Sequence, residues 1–146
     1  DVVLIDADSH ASIYDACKLS GATIVRFRHN DAADLDRRLG RLGGDSDCRL
    51  VIVEGLYSML GDTAPLPDFV EVKRRHGAWL LVDEAHSFGC FGEHGRGLAE
   101  EQGVEAEVDF VIDLVTREVS RLREMSPLFE MVQQGIDIKK IEWAAH

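Results

Sequence analysis

Short apolar runs alternate with amphipathic stretches along the first three quarters of the chain. The apolar runs lie at residues 2–5, 23–27, 50–53, 79–82 and 108–112. Their length and their β-branched or aliphatic side chains predict buried strands. The stretches between them predict helices at residues 10–20, 31–42 and 67–76. This alternation predicts an α/β fold of three layers, in which helices cover both faces of a mainly parallel sheet.

The pattern changes near residue 113. Beyond it, apolar residues recur at helical spacing, at positions 115, 119, 122, 125, 129 and 132. This spacing predicts an amphipathic helix that breaks or restarts near Pro127. We therefore predict one domain at residues 1–112 and a helical tail without chemistry at residues 113–146.

The charge balance narrows the classes of function. The chain has 16 Lys and Arg against 27 Asp and Glu, a formal net charge of −11, and so acidic a domain repels nucleic-acid backbones. No apolar run reaches the roughly 18 residues of a membrane helix, and the first residues do not have the pattern of a signal peptide. We expect no nucleic-acid partner, no transmembrane segment and a cytoplasmic location.

Two further sets of residues are assigned to the interior. The three cysteines, Cys17, Cys48 and Cys90, are odd in number and widely spaced. This spacing favours reduced, mostly buried thiols over disulfides or a metal site. Three aromatic residues are also predicted to lie in the core, namely Tyr14, Tyr57 and Trp79.

Polar residues directly follow several of the predicted strands. Asp83 comes after the run at 79–82, with His86 three residues later, and Glu54 comes after the run at 50–53. In a parallel sheet, ligand chemistry gathers at the carboxyl ends of the strands. There a carboxylate can hold a protonated ring nitrogen and an imidazole can bond a neighbouring ring oxygen. The structural alternative is a turn-capping Asp beside a surface His, but the glycines at 89, 92, 95 and 97 favour a ligand or a subunit close to the backbone.

Residues 83–86 also spell DEAH, the ATP-hydrolysis box of helicases. A helicase needs a phosphate-binding loop as well, and no GxxxxGK[ST] segment occurs in the sequence. The acidic charge further disfavours a nucleic-acid track. We therefore set the helicase interpretation aside.

Three segments, in order along the chain, match one known pattern. They read DSHASIYDA at residues 8–16, EGLYSMLGDTAPL at 54–66 and DEAHSFGCFGEHGRG at 83–97. The last closely resembles the DEAHSxGxxGxxGRG segment of the α-oxoamine synthases, pyridoxal-phosphate enzymes of the aspartate-aminotransferase-like fold (fold type I). The first two resemble that family's xSHAS and EGxYSMxGDxAPL segments. Within the family, residues 27–31 and 57–62 are most similar to serine palmitoyltransferases, and residues 1–112 would form part of the large domain.

The resemblance implies a reaction, a cofactor and site residues. α-Oxoamine synthases condense an amino acid, here serine or glycine, with an acyl-CoA, with decarboxylation. Carried over by position, Asp83 would pair with the pyridinium nitrogen of pyridoxal phosphate, His86 would hydrogen-bond the ring hydroxyl, and His10 would stack on the ring. Ser58 would be a minor cofactor contact. Because family members place the active site between subunits, a homo-oligomer or a partner subunit is expected.

The sequence departs from the family pattern after residue 112. An ungapped alignment places Arg117 where the family has its Schiff-base lysine, and a guanidinium does not form an imine. The four lysines of the chain are Lys18, Lys73, Lys139 and Lys140. All four are predicted within or beyond helices, so no catalytic residue is assigned.

Two hypotheses account for these departures. The chain would be a fragment or fusion of an α-oxoamine synthase, inactive alone because the lysine, the upstream glycine-rich phosphate loop and the C-terminal domain are missing. Alternatively, it would be a non-catalytic binding or interaction module, or a pseudo-subunit of a lysine-bearing partner. Both place pyridoxal phosphate chemistry in the ancestry of the chain.

Overall fold

A computed structural model of the chain describes residues 1–42 and 48–109. In these ranges strands and helices alternate, which confirms the predicted α/β class. The elements are β1 (Val2–Asp6), α1 (Ala11–Ser20), β2 (Thr23–Phe27), α2 (Ala32–Arg41), β3 (Arg49–Glu54), α3 (Leu66–His76), β4 (Trp79–Asp83), α4 (Leu98–Glu101) and a 3₁₀ turn (Glu105–Glu107). None of the described helices has the length and apolar content needed to cross a membrane.

The four strands form one parallel sheet in the order β2-β1-β3-β4. In the register, Val3 lies beside Ile24 of β2 and Leu50 of β3. At the other end of the sheet, Glu54 of β3 lies beside Asp83 of β4. Because the strands are parallel, their carboxyl ends and the loops that follow lie along one edge of the sheet.

Strand side chains alternate between two buried layers, as the period of a strand requires. Leu4 and Val51 face one layer, where they pack with Leu35 of α2 and Phe69 of α3. The other layer contains Val3, Ile5 and Ile52 with Ile13 and Cys17 of α1. Full burial of such side chains contributes about 1.5–3 kcal/mol each, so continuous apolar strands are stable only when both faces are covered.

The helix ends follow from local sequence signals. α1 and α3 end at Gly21 and Gly77, which adopt left-handed backbone with φ of 72° and 60°. Asp31 precedes α2, and its carboxylate accepts the N–H of Asp34 at 2.7 Å as an N-cap. The observed bounds of these three helices differ from the predicted ones by one residue at most.

Several interior assignments are wrong. Tyr57 is buried as predicted, but Trp79 is 46% exposed, because it opens β4 at the amino end of the last described strand. Cys17 is buried, whereas Cys48 and Cys90 are exposed. Cys48 lies directly before β3 and Cys90 lies in the turn that follows β4, outside the two buried layers.

Toward the C-terminus, the structure describes the chain as far as residue 109. There the N–H of Asp109 donates to the C=O of Leu80 at 3.2 Å, beside β4. The remainder of the strand predicted at 108–112 lies outside the described residues. The chain divides into two units, Asp1–Ile112 and Asp113–His146. The predicted amphipathic helix falls in the second unit, and it also lies outside the described residues. The predicted domain boundary stays a prediction.

Candidate functional site

His10 lies at the carboxyl edge of the sheet, at the junction of β1 and α1. It is the N-cap of α1, and its Nδ1 accepts the N–H of Ser12 at 3.3 Å and lies 2.8 Å from Ser12 Oγ. Its own backbone N–H donates to the carboxylate of Glu54, the last residue of β3. The ring is exposed, and because Nδ1 accepts a hydrogen bond, the proton of the neutral ring lies on Nε2.

Asp83 ends β4 directly beside Glu54. Its Oδ1 accepts the N–H of Ala85 at 2.9 Å, which turns the chain sharply after the strand. His86 follows on this turn and is exposed. Within residues 1–42 and 48–109, Oδ2 of Asp83 accepts no hydrogen bond and remains available to a donor.

The buried carboxyl group of Glu54 lies beside both His10 and Asp83. Burial raises the pKa of Glu54, and the charge of Asp83 raises it further, whereas the hydrogen bond from the His10 N–H and the charges of His10 and His86 lower it. The structure places His10 and Asp83 beside Glu54 at the end of β3, and His86 lies on the turn that follows Asp83.

The fourth residue predicted to contact the cofactor, Ser58, lies in a different environment. Ser58 lies on an exposed turn after β3, and its contact with a cofactor stays a prediction. Its neighbour Tyr57 is 1% exposed and packs edge-on against His29, with ring centroids 4.5 Å apart. Burial raises the pKa of Tyr57, so this phenol is neutral and serves the core.

A second polar network, centred on His29, was not found by sequence reasoning. Its Nδ1 lies 2.9 Å from Oδ1 of Asp6, and its Nε2 lies 2.9 Å from Oδ2 of Asp62. Asp6 also accepts the backbone N–H groups of Asp8 and Asn30, each at 2.9 Å. These contacts join the ends of β1 and β2 to the loop after β3, and no local sequence signal indicates partners so far apart.

Asp6, Asp8 and His29 also bring possible metal-ligand atoms within 4.8 Å of one another. Hydrogen-bond donors already occupy three of the four lone pairs of the Asp6 carboxylate, two on Oδ1 and one on Oδ2. A cation would compete with these donors for the carboxylate charge, and it would have to displace the proton on His29 Nδ1. The donor set at this place therefore favours a hydrogen-bond network over a metal centre.

His29 should make the stability of the chain dependent on pH. Burial opposes its charge, but the hydrogen bonds to Asp62 and Asp6 outweigh burial and raise the pKa of His29 above its ordinary 6.5. A His with a raised folded-state pKa stabilises fully below the unfolded-state pKa, and the effect disappears as pH rises through the folded-state value. We expect the free energy of unfolding to fall from pH 6 to pH 9 by more in the unaltered chain than in His29→Gln.

Urea unfolding across this pH range is the measurement. The control is His94→Gln, because the side chain of His94 is 65% exposed and lies outside the network. If the free energy of unfolding depends on pH equally in the unaltered chain and in His29→Gln, the prediction is wrong.

Comparison with known proteins places this geometry in a family. The family model described as aminotransferase class I and II matches residues 1–119. The chain belongs to the aminotransferase class I and II family. The match includes position 117, where this chain has Arg.

Individual members of the family give a narrower placement. The chain is 56% identical over 119 residues to the serine palmitoyltransferase of Sphingomonas paucimobilis, an alignment that covers 82% of this chain and 28% of the relative. It is 51% identical over 109 residues to the 8-amino-7-oxononanoate synthase of Geobacter metallireducens, covering 75% of this chain and 28% of that relative. The predicted resemblance to α-oxoamine synthases, and most of all to serine palmitoyltransferase, is confirmed. The chain spans less than a third of the length of these relatives.

A solved member of the family agrees in structure. Serine palmitoyltransferase from S. paucimobilis, with a bound PLP–myriocin aldimine, superposes with a TM-score of 0.72 at 59% sequence identity, over 75% of this chain and 27% of that one. The fold is therefore that of this part of an aminotransferase class I and II enzyme. Pyridoxal phosphate is the cofactor of the relative.

Proposed function

We propose that this chain carries the ring-binding part of a pyridoxal-phosphate site in an α-oxoamine synthase. The observation that carries the proposal is the placement of His10 and Asp83 beside Glu54 at the end of β3, with His86 on the turn after Asp83. It is supported by 56% identity to a serine palmitoyltransferase over 119 residues. The substrates would be an amino acid, serine or glycine, and an acyl-CoA, with loss of CO₂, in an assembly with a second subunit.

The residues at this edge fit a pyridoxal ring. Asp83 offers Oδ2 to a ring N–H while Oδ1 remains bound to Ala85. A carboxylate so placed keeps a proton on the pyridine nitrogen, because the ion pair and its charge-assisted hydrogen bond favour the protonated ring. Asp83 is also held at the end of a strand, so it loses little freedom when the ring binds.

The two histidines have complementary roles. His86, on the turn three residues after Asp83, would donate a hydrogen bond to the ring hydroxyl. His10 would cover one ring face and exclude water, and Ser12 holds its imidazole in place through Nδ1. When bound, pyridoxal phosphate supplies an electron sink for a carbanion at the substrate.

Titration with pyridoxamine 5′-phosphate tests this site. The probe has no aldehyde and cannot bond to lysine, so its binding reports contacts with the ring and phosphate alone. We expect saturable shifts of the His10 and His86 imidazole resonances in NMR spectra, with a Kd on the order of 1 mM, because a few exposed hydrogen bonds contribute about 1 kcal/mol each. Asp83→Asn should weaken binding about tenfold, because it removes the charge while keeping an acceptor for the Ala85 N–H.

The matched control is Asp15→Asn, since Asp15 is an exposed acid on α1 whose side chain is 69% exposed. It should leave the affinity unchanged. Shifts spread over the surface, or an equal effect of Asp83→Asn and Asp15→Asn, would contradict the proposed site.

The residue at position 117 favours a second candidate, a non-catalytic binding module or pseudo-subunit. A lysine can lose its proton and bond covalently to the cofactor, whereas an arginine stays charged and does not. We therefore expect that the chain, mixed with pyridoxal 5′-phosphate and reduced with borohydride, carries no stoichiometric label on a single lysine, and that it does not condense serine or glycine with an acyl-CoA.

Mass spectrometry of the reduced chain locates any label. Ring binding without a label would support the non-catalytic module. A stoichiometric label on Lys18, Lys73, Lys139 or Lys140, accompanied by turnover, would overturn it and show that this chain acts as an enzyme.

A further inference from the structure

Glu84 lies between two residues of the proposed cofactor site, yet its side chain is directed into the protein. It is only 5% exposed. Its Oε2 accepts the N–H of Leu98 and its Oε1 accepts the N–H of Ala99, both at 2.9 Å. Ser87 Oγ donates to Oε2 as well. One buried carboxylate thus accepts three hydrogen bonds, two of them from the first residues of α4.

The backbone of Glu84 also forms the turn that carries His86. Its C=O accepts the N–H of Ser87 at 3.1 Å and the N–H of Phe88 at 2.7 Å. The glycine-containing loop at 85–97 therefore begins at the main chain of Glu84 and ends at its side chain. Both ends of the loop depend on one residue.

Two glycines make room for this carboxylate. A Cβ on Gly97 would lie 2.6 Å from Cδ and Oε2 of Glu84, and Gly97 has a φ of 105° that other residues rarely adopt. A Cβ on Gly55, the residue after β3, would overlap Oε2 of Glu84. The carboxylate therefore packs against the ends of β3 and of the loop at the same time.

We propose that Glu84 is a positioning residue of the cofactor site, which holds Asp83 and His86 in place by closing the loop at 85–97. The inference rests on the proposed function, because it concerns the same site. A carboxylate suits this role because both of its oxygens only accept hydrogen bonds. A glutamine would turn an NH₂ group toward the N–H of either Leu98 or Ala99, so one of these buried donors would lose its acceptor.

The test compares Glu84→Gln with Glu93→Gln, an exposed acid in the same loop. Both changes remove one negative charge, so any general electrostatic effect is shared. Amide hydrogen exchange should become at least about tenfold faster at Leu98 or Ala99 in Glu84→Gln and remain unchanged in Glu93→Gln. Equal protection in the two variants would overturn the inference, whether or not the chain binds a cofactor.

A second readout separates positioning from stability alone. Val72→Ala creates a core vacancy in α3, a helix outside the loop at 85–97, and serves as a destabilised control. Pyridoxamine 5′-phosphate should bind at least about tenfold more weakly to Glu84→Gln than to Val72→Ala, with a smaller shift of the His86 resonance. Equal binding to these two variants would overturn the inference, whereas no binding to the unaltered chain would overturn the proposed function.

Ser87→Ala provides the test if Glu84→Gln does not fold. It removes one donor and leaves both bonds to α4 in place. Protection at Leu98 and Ala99 should persist, while the shift of the His86 resonance on addition of the probe becomes smaller. A His86 shift equal to that of the unaltered chain would contradict the role of this carboxylate in the turn.

Discussion

Replacing Asp6 with alanine is expected to lower the free energy of unfolding by about 3–5 kcal/mol. Asp6 is fully buried and accepts hydrogen bonds from Asp8, Asn30 and His29, each at 2.9 Å. Alanine would leave all three donors without an acceptor at the end of β1, and it would leave His29 without one of its two carboxylates. Urea unfolding of the two proteins measures the difference.

The neighbouring acid provides the control. The side chain of Asp8 is 50% exposed, and its Oδ2 lies 3.7 Å from Nδ1 of His29. Asp8→Ala should therefore lower the free energy of unfolding by less than about 1 kcal/mol. The loss of stability in Asp6→Asn should lie between those of Asp6→Ala and Asp8→Ala, because one side-chain oxygen still accepts hydrogen bonds. A loss in Asp6→Ala no larger than that in Asp8→Ala would show that the network adds nothing to stability.

Gly55→Ala is expected to cost about 3 kcal/mol of stability, a large effect for one methyl group. The added Cβ would overlap Oε2 of Glu84 and lie 2.6 Å from Ser87 Oγ. The carboxylate cannot move aside easily, because three hydrogen bonds hold it in a buried position. The change should also speed amide exchange at Leu98 and Ala99.

Gly40→Ala is the matched substitution. Gly40 lies in α2, and a Cβ there would meet its nearest neighbour, Cε1 of His76, at an ordinary 3.8 Å. Alanine in a helix loses less backbone entropy on folding than glycine, so this variant should gain about 0.5 kcal/mol. The prediction for Gly55 fails if Gly55→Ala is as stable as Gly40→Ala.

Much of the candidate site could be predicted from the sequence, because the signals for it lie within a few residues of each strand end. Polar residues that follow buried strands meet at one edge whenever those strands are parallel. Asp83 was assigned on this basis and His10 through the family resemblance, and the structure places both beside the end of β3. Glu84 could not be assigned a role in the same way, because its partners in α4 lie 14 and 15 residues away.

The sequence by itself determined the first three helices and the four described strands of this protein, but not α4 or the 3₁₀ turn. The alternation of apolar runs and amphipathic stretches indicated the strands and helices, and Gly21, Asp31 and Gly77 marked helix ends within a residue. These signals work because helix capping and the strand period involve only a few neighbouring residues.

The tertiary structure alone decided which strands are neighbours and which buried groups share a hydrogen bond. His29 meets Asp6 and Asp62, which lie 23 and 33 residues away. Trp79 is exposed because of its place at the amino end of β4. Such outcomes depend on packing between distant segments, since a buried donor must find whichever acceptor the fold brings within about 3 Å.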